Sequence, residues 1–433
     1  MDINNIKKIY FLGIGGIGMS ALAKLFKHEG KTVSGSDTGF ADREGLIKAG
    51  IATYEGYDAL HITSDINVVV YTLATTEDNI ELLKAKELGI KLLSYAEMLG
   101  QVSKDRHTIA VCGTHGKTTT TAMIAHMMIK EKLSPSVVVG SLMSYDNNGK
   151  IEKTNFIPGE SDFLVAESCE YKKSFLNINP QIICITNVDE DHLDFYGNLD
   201  NIISAFKEFV AKLPLDGVVI ADLEDPNSKK VVEGCKRQVI NSRDFLKDDI
   251  KLLVPGLHNR QNASVALALA SYFDIPEDSA RAALATFPGT WRRFEYKGIM
   301  NTIKIYDDYG HHPHEIRATL NGAREMFPST KIAVAFEPHL YSRTKEHFDD
   351  FVQVLADFDI VFLTDIYAAR EKFDGTISSG HLSDAIMTKN PNVYYAPSYN
   401  DLVLCIKDKM PENSVLITMG AGTITEIVSK LLD

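Results

Sequence analysis

A glycine-rich segment directly after an apolar run constrains the fold of this chain more than any other feature. The segment reads GTHGKTTTT at residues 113–121, and the apolar run begins at Thr108. This pattern predicts a buried strand, a tight turn and the start of a helix. Backbone N–H groups at a helix N-terminus attract phosphate oxygens. Lys117 is placed to reach the outer phosphates of a nucleotide, and the Thr118 hydroxyl is placed to hold Mg²⁺.

The loop is shorter than the usual phosphate-binding sequence. That sequence is G-x-x-x-x-G-K-[ST], and here Val111 stands where its first glycine would be. The departure narrows the class of nucleotide-binding protein to one with a short loop.

The charge balance of the chain excludes two classes of partner. Among 433 residues, 45 are Lys or Arg and 58 are Asp or Glu, which leaves a net charge of −13. An acidic surface disfavours nucleic acid and anionic membranes, so we expect neither as a partner. Five cysteines without a C-x-x-C pair favour a reducing, cytoplasmic location.

Three successive α/β units organise the chain. We predict a Rossmann-like N-terminal domain at 1–100, a central nucleotide-binding domain with a mostly parallel sheet at 101–288, and a C-terminal Rossmann-like α/β domain at 289–433. Apolar runs bounded by turn residues, with helical patterns between them, support an α/β fold for all three.

The first unit carries a second glycine loop, GIGGIG at 13–18, after an apolar strand. Asp37 follows Gly18 at the spacing of an acid that binds a ribose hydroxyl. Alone, this pattern predicts an NAD-dependent oxidoreductase, but nothing downstream resembles hydride-transfer machinery. The same loop suits the pyrophosphate of a UDP-sugar, whose predicted site is Gly13, Ile14, Gly15, Gly16, Ile17, Gly18 and Asp37.

Polar side chains at two strand ends predict a metal site in the central unit. Glu167 ends the strand FLVAE, and His192 follows the next strand within TNVDEDHLDFYG. Open α/β sheets place ligands at such ends, so Thr118, Glu167 and His192 are expected to meet at a divalent cation. Histidine is an unusual ligand for Mg²⁺, and an acid of the DEDHLD run is the alternative.

The third unit carries DDYGHHP at 307–313, where Pro313 predicts the first turn of a helix. Asp308, His311 and His312 are expected to face a crevice, and a turn with solvated histidines is the alternative. Adjacent arginines, Arg292 and Arg293, are either a solvated pair or a source of positive charge for a γ-phosphate.

Together these motifs resemble those of the Mur ligases of peptidoglycan synthesis, in the same order and over essentially the whole chain. The DDYGHHP form resembles the branch that adds L-alanine, and the branch that recycles a murein tripeptide is the alternative. The motifs are GIGGIGMS at 13–20, GTHGKTTTT at 113–121, VAESCEY at 165–171, TNVDEDHLDFYG at 186–197, PGLHNRQNA at 255–263, DDYGHHP at 307–313 and DIYAAREK at 365–372.

The resemblance implies an ATP-dependent ligase that uses Mg²⁺. Its N-terminal domain would bind the UDP part of UDP-N-acetylmuramate, its central domain ATP and its C-terminal domain L-alanine. The lactyl carboxylate would take the γ-phosphate of ATP, and the amine of L-alanine would then displace phosphate. A monomer or a weak homodimer is expected. A nucleotide-binding regulator that has lost catalysis is a further alternative.

The resemblance also assigns roles to individual residues. It implies Thr118, Glu167 and His192 as metal ligands and Arg293 and Asp308 as residues that reach the nucleotide on closure. It implies His311, His339 and Arg343 as amino-acid ligands, and Lys117, Glu167, His192, Arg293 and His311 as catalytic. The implied ATP site comprises Gly113, Thr114, His115, Gly116, Lys117, Thr118, Thr119, His258, Asn259, Asn262, Arg293 and Asp308.

Two departures from the family pattern stand out. Leu340 occupies a position in PHLYSRT at which alanine-adding relatives often have arginine, so one candidate ligand for a carboxylate is missing from this chain. The stretch from residue 246 to residue 254 is very short, so the central domain is expected to lack the extra strands that the family usually carries there.

Overall fold

The computed structural model describes residues 3–147, 150–369, 371–373 and 375–433. Their strands form three mostly parallel sheets, so the predicted three-domain α/β architecture is confirmed. Arg370, within the DIYAAREK motif, lies outside the described residues.

The first sheet has the strand order β3-β2-β1-β4-β5 and is parallel throughout. This is the Rossmann-like arrangement that the sequence predicts. The strands β3 and β5 were not foreseen, because short strands with exposed positions have no continuous apolar run. The elements are β1 (Lys8–Leu12), α1 (Ile17–His28), β2 (Thr32–Asp37), α2 (Arg43–Lys48), β3 (Ala52–Glu55), β4 (Val68–Tyr71), α3 (Ile80–Glu87), β5 (Lys91–Ser94) and α4 (Tyr95–Ser103).

The second sheet has the order β12-β11-β10-β6-β9-β7-β8, and only the β7–β8 pair is antiparallel among its described pairings. Val111 lies inside β6, so the missing first glycine of the loop is a strand residue. The elements are β6 (His107–Cys112), α5 (Lys117–Lys130), β7 (Ser136–Asn147), β8 (Lys150–Ile157), β9 (Phe163–Glu167), β10 (Ile182–Ile185), α6 (Leu193–Tyr196), α7 (Leu199–Ala211), β11 (Val218–Ala221), α8 (Pro226–Val232), β12 (Gln238–Asn241), α9 (Leu257–Tyr272) and α10 (Glu277–Ala285).

The third sheet has the order β13-β14-β18-β15-β16-β17, with β13 antiparallel to β14. The four apolar strands predicted for this unit are β14, β15, β16 and β18, and the edge strands β13 and β17 were missed. The elements are β13 (Glu295–Met300), β14 (Ile303–Asp308), α11 (Pro313–Met326), β15 (Ile332–Phe336), α12 (Tyr341–Glu346), α13 (Phe348–Ala356), β16 (Ile360–Leu363), α14 (Ser379–Met387), β17 (Val393–Tyr395), α15 (Tyr399–Lys409), β18 (Val415–Met419) and α16 (Ile427–Leu432).

The chain forms two compact units, and the first two sheets share one of them. Residues 1–253 and 260–290 make up the first unit, and residues 254–259 and 291–433 the second. Within the first unit, Asn155 of β8 donates to the Ile17 carbonyl at the start of α1 and accepts from Lys24 Nζ at 2.7 Å. The predicted boundaries after residues 100 and 288 stay predictions.

Within the described part of the chain, no helix combines the length and the apolar character that crossing a bilayer requires.

Candidate active site

The predicted phosphate loop lies between β6 and α5, as expected from the sequence. Gly116 is the N-cap of α5 and has φ 80°, a left-handed conformation that favours glycine. A Cβ at Gly116 would collide with the Asn262 side chain, and a Cβ at Gly113 would collide with the Thr186 hydroxyl. Both positions therefore favour glycine for two reasons: φ is positive, and no room is left for a Cβ.

The TNVD segment after β10 holds this loop in shape. Asn187 accepts from the backbone N–H of His115 through Oδ1 at 2.9 Å and from that of Thr114 through its carbonyl at 3.0 Å. Thr186 donates to the His115 carbonyl at 2.6 Å, and the Thr114 hydroxyl accepts from the N–H of Asp189 at 2.8 Å. The sequence prediction for this motif concerned His192 and its acidic neighbours. It did not include the role of Thr186 and Asn187 in positioning the loop.

Lys117, the first residue of α5, folds back onto its own loop. Its Nζ donates to the carbonyls of Gly113 and Thr114 at 2.6 and 2.9 Å and to Glu170 Oε1 at 2.9 Å. Burial lowers the pKa of Lys117, but the neighbouring Glu170 carboxylate and other acidic groups outweigh it, and the net pKa is raised. The side chain is therefore an ammonium at neutral pH.

Glu167 and Thr118 meet as predicted. The Thr118 hydroxyl donates to Glu167 Oε1 at 2.8 Å, and the Gly140 N–H donates to Oε2 at 2.6 Å. This carboxylate ends β9, and the hydroxyl lies in the first turn of α5.

His192 lies in a second group with Glu170 and Asp191. One potential ligand atom from each of these residues lies within 4.8 Å of the others. Glu170 is buried, and its Oε2 has no hydrogen-bond partner among the described residues. An orphaned carboxylate oxygen next to another acid and an imidazole fits a divalent cation. That one ion joins Thr118, Glu167 and His192 stays a prediction.

Glu170 was missed by sequence reasoning. The available signal was its position three residues after Glu167 in VAESCEY, but nothing in that spacing distinguishes a buried ligand from a surface acid.

The residues predicted near the adenine lie at the start of α9. His258, Asn259 and Asn262 occupy its first two turns. Asn262 lies against Gly116, and Asn259 Nδ2 donates to the Pro255 carbonyl at 2.7 Å. Their contact with a nucleotide stays a prediction.

The first glycine loop lies between β1 and α1, where a pyrophosphate is predicted. Asp37 accepts from the Gly15 N–H through Oδ2 at 2.9 Å and from the Thr38 N–H through Oδ1 at 2.7 Å. Asp37 thus holds the loop itself, and its predicted contact with a ribose stays a prediction. A Cβ at Gly15 would overlap the Gly39 carbonyl and lie 2.9 Å from Asp37 Oδ2.

Gly15→Ala is therefore expected to lower the free energy of unfolding by about 1–3 kcal/mol and to weaken binding of the predicted UDP-sugar, because the loop must shift to admit the methyl group. Gly39→Ala is the matched control, since a Cβ there has no heavy atom within 4 Å. Denaturant unfolding and calorimetric titration test both variants. Equal effects of the two substitutions would contradict the prediction.

Asp308 ends β14 in the second compact unit, as predicted. Its Oδ1 accepts from the Gly310 N–H at 2.7 Å and its Oδ2 from the Phe294 N–H at 2.8 Å. Burial raises the pKa of Asp308 to about 6, while Arg293 opposes the shift.

The predicted amino-acid ligands come together in this unit. The rings of His311 and His339 lie 6.0 Å apart, and Arg343 Nη1 lies 3.1 Å from His339 Nδ1. Leu340 precedes α12 with φ 69°, a conformation that is unusual for leucine. His312 is the N-cap of α11, where its ring accepts a hydrogen bond from the backbone N–H of His314.

His311 is held in its neutral form. Burial lowers its pKa below the usual value, and Arg343 and Arg293 act in the same direction, while Glu315 opposes them. A neutral imidazole is able to accept a proton from an attacking amine.

We expect the rate of the predicted ligation at saturating substrate to fall as the pH is lowered, with an apparent pKa below 6.5. The reason is that protonation of His311 removes the group that would accept the proton of the amine. His311→Asn should lower the rate at pH 7 by about a hundredfold and lose that acid limb. His314→Asn, at an exposed position of the same segment, should retain both. An unchanged acid limb in His311→Asn would refute this role.

The two adjacent arginines have different environments. Arg292 is 2% exposed and donates to Asp307 Oδ2 at 2.9 Å and to the carbonyls of Gly420 and Gly422. The alternative of a solvated pair is therefore wrong for Arg292. Arg293 is partly exposed, 3.8 Å from Glu315 Oε1 and stacked over the Tyr309 ring. Its side chain is the one that remains accessible to a ligand.

Three family models match the chain in sequence order. The Mur ligase family catalytic domain matches residues 8–107, the Mur ligase middle domain 111–249, and the Mur ligase glutamate ligase domain 292–422.

Two relatives that match over nearly their full length carry the same name. The chain is 38% identical to the UDP-N-acetylmuramate–L-alanine ligase of Agathobacter rectalis, over 100% of this chain and 99% of that protein. It is 40% identical to that of Clostridium acetobutylicum, over 97% and 96%. The crystal structure of the UDP-N-acetylmuramate-alanine ligase of Thermotoga maritima matches with a TM-score of 0.80 at 29% identity, over 98% of each chain. A murein peptide ligase from Psychrobacter arcticus matches at 0.69 and 24% identity over 98% of each chain, which supports the fold alone.

Proposed function

This chain belongs to the Mur ligase family, and we propose that it joins L-alanine to the lactyl carboxylate of UDP-N-acetylmuramate, with conversion of ATP to ADP and phosphate. The name shared by the full-length relatives supports the choice of this reaction within the family. The observation that carries it is the phosphate loop, in which Lys117 and Thr118 at the start of α5 donate to Glu170 and Glu167, respectively. Glu167 ends β9, which pairs with the strand β6 that leads into the loop.

The reaction needs activation because an amine does not displace oxide from a carboxylate. Transfer of the γ-phosphate to the lactyl carboxylate creates an acyl phosphate, whose leaving group is phosphate. Two anions must approach each other in this step, so positive charge has to be supplied. Lys117 offers an ammonium at the N-terminus of α5, where backbone N–H groups add to the attraction for phosphate oxygens.

A magnesium ion would be held by Thr118, Glu167 and His192, and Glu170 and Asp191, which lie close to His192, would be further ligands. When bound, it would neutralise phosphate charge and polarise the phosphoryl oxygens.

Amide formation would use the residues of the second compact unit. The amine of L-alanine attacks the carbonyl carbon of the acyl phosphate and gives a tetrahedral intermediate, which expels phosphate. The amine loses a proton in this sequence, and the neutral imidazole of His311 is suited to accept it. Arg343, beside His339, offers a positive charge to the carboxylate of the amino acid.

Phosphate release provides the test of this function. We expect release from ATP only when UDP-N-acetylmuramate and L-alanine are both present, with a product whose mass has grown by one alanine residue. Glycine and L-serine are tested in parallel. Absence of product with all three amino acids would overturn the proposal. The tripeptide L-Ala-γ-D-Glu-meso-diaminopimelate distinguishes a recycling ligase, and a protein without any ATP turnover would be a regulator.

We place this reaction in the cytoplasm, where ATP is available and where the free cysteines of the chain stay reduced. A monomer or weak homodimer stays the prediction for the oligomeric state.

A further inference from the structure

Glu170 is a buried carboxylate with two competing neighbours. Its side chain is 2% exposed, and Oε1 accepts from Lys117 Nζ at 2.9 Å while lying 3.8 Å from His192 Nε2. Its Oε2 has no hydrogen-bond partner in the described part of the chain. Glu170 therefore forms an ion pair with Lys117 of the phosphate loop. It also forms a group with Asp191 and His192 whose spacing suits metal ligands.

The hydrogen-bond capacity of Lys117 is already filled. An ammonium has three N–H donors, and Lys117 directs them to the Gly113 carbonyl, the Thr114 carbonyl and Glu170 Oε1. A phosphate oxygen can bind Nζ only if one of these acceptors is displaced. The two carbonyls belong to the loop itself, so Glu170 is the partner that is displaced with least distortion of the loop.

Displacement leaves Glu170 buried without a counter-charge, which is strongly unfavourable. A divalent cation beside Asp191 and His192 would restore the balance, because it brings positive charge to a carboxylate that already has one unpartnered oxygen. Binding of a phosphate oxygen to Lys117 and binding of the cation to Glu170 should therefore each favour the other.

We propose that Glu170 is an exchange ligand. It holds Lys117 in the nucleotide-free protein and passes to the divalent cation, together with Asp191 and His192, when the nucleotide phosphate takes Lys117. The inference rests on the proposed function for the identity of the nucleotide. It has the consequence that nucleotide and metal bind cooperatively through one side chain.

Nucleotide binding with and without metal tests the exchange. In Glu170→Gln, AMP-PNP should bind about threefold to tenfold more tightly than in wild type when EDTA is present, because no ion pair has to break. The gain in affinity on adding Mg²⁺ should shrink about tenfold. Glu160→Gln is the matched control, since Glu160 is exposed and lies shortly before β9, outside the proposed metal site, and both affinities should stay at the wild-type values. Isothermal titration calorimetry measures all six binding constants, for wild type and the two variants in EDTA and in Mg²⁺.

Manganese binding gives a reciprocal test that does not depend on the folding of Glu170→Gln. Lys117→Met releases Glu170 from its ion pair, so Mn²⁺ should bind this variant about tenfold more tightly than wild type in the absence of nucleotide. Electron paramagnetic resonance of free Mn²⁺ measures this affinity. Lys130→Met, at the exposed end of the same helix, should bind Mn²⁺ like wild type.

Two results would overturn the exchange. If Glu170→Gln weakens AMP-PNP binding by the same factor in EDTA and in Mg²⁺, Glu170 only positions Lys117. If Lys117→Met binds Mn²⁺ no better than wild type, the ion pair does not withhold Glu170 from the metal. Either result is compatible with normal ligation by wild type, whereas failure of wild type to form any product defeats the proposed function and leaves these binding constants measurable.

Discussion

Lys117→Met is expected to lower ATP-dependent ligation by about a thousandfold or more, measured as kcat for phosphate release. Lys117 is the ammonium at the N-terminus of α5, and Asn187 and Thr186 hold its loop in shape through hydrogen bonds to the backbone of His115. Methionine keeps the length of the side chain and removes the charge that stabilises phosphoryl transfer. The expected loss is therefore mainly in kcat.

The same substitution also removes the counter-charge of Glu170, and breaking a buried ion pair costs about 3–5 kcal/mol. Thermal unfolding must accompany the rate measurement, so that turnover is compared where both proteins are folded. Lys130→Met tests for general effects on α5, and its rate should equal that of wild type. Retention of more than about a tenth of the wild-type kcat by folded Lys117→Met would exclude the proposed role.

Arg292→Ala is expected to lower the free energy of unfolding by about 3–5 kcal/mol. The Arg292 side chain is 3% exposed and that of Asp307 is fully buried. The carbonyls of Gly420 and Gly422, in the loop after β18, complete the contacts of Arg292. Alanine leaves the carboxylate of Asp307 with hydrogen bonds from the Thr418 and Thr425 hydroxyls but without a positive charge. Arg292→Lys should recover only part of this loss, because an ammonium does not reproduce the planar fork of a guanidinium.

Arg293→Ala is the matched comparison, and we expect it to change activity while leaving stability nearly unchanged. Its ion pair with Glu315 is long and partly exposed, so stability should change by less than about 1 kcal/mol. If Arg293 reaches the nucleotide, kcat should fall by about a hundredfold. Denaturant titration and phosphate release on both variants separate a structural arginine from a functional one. A stability loss of similar size in both would show that this division is wrong.

The glycine loop before α5 was predictable because its requirements are local. A buried strand, a glycine with positive φ and a lysine one residue later all lie within residues 107–117, and each has a recognisable sequence pattern. Glu167 and Asp308 were equally accessible to prediction, since each is an acid at the last position of an apolar strand.

Edge strands were harder to predict than central ones. The edge strands β3, β8, β13 and β17 have exposed positions and no long apolar run, because only one edge of each is covered. Central strands such as β6 and β10 are buried on both faces, and their composition alone distinguishes them.

The sequence by itself determined that three α/β units follow one another and that a phosphate chain is expected at residues 113–119, because strand burial and turn geometry depend on neighbours along the chain. Only the tertiary structure decided which ionic groups are paired. Glu170 lies 53 residues from Lys117 in the chain, and its Oε1 lies 2.9 Å from Lys117 Nζ. Arg292 differs from Arg293 through its buried contacts with Asp307 of β14 and with the carbonyls of Gly420 and Gly422. Coulombic attraction and desolvation depend on distance in space and on burial. The spacing of residues along the chain determines neither of these quantities.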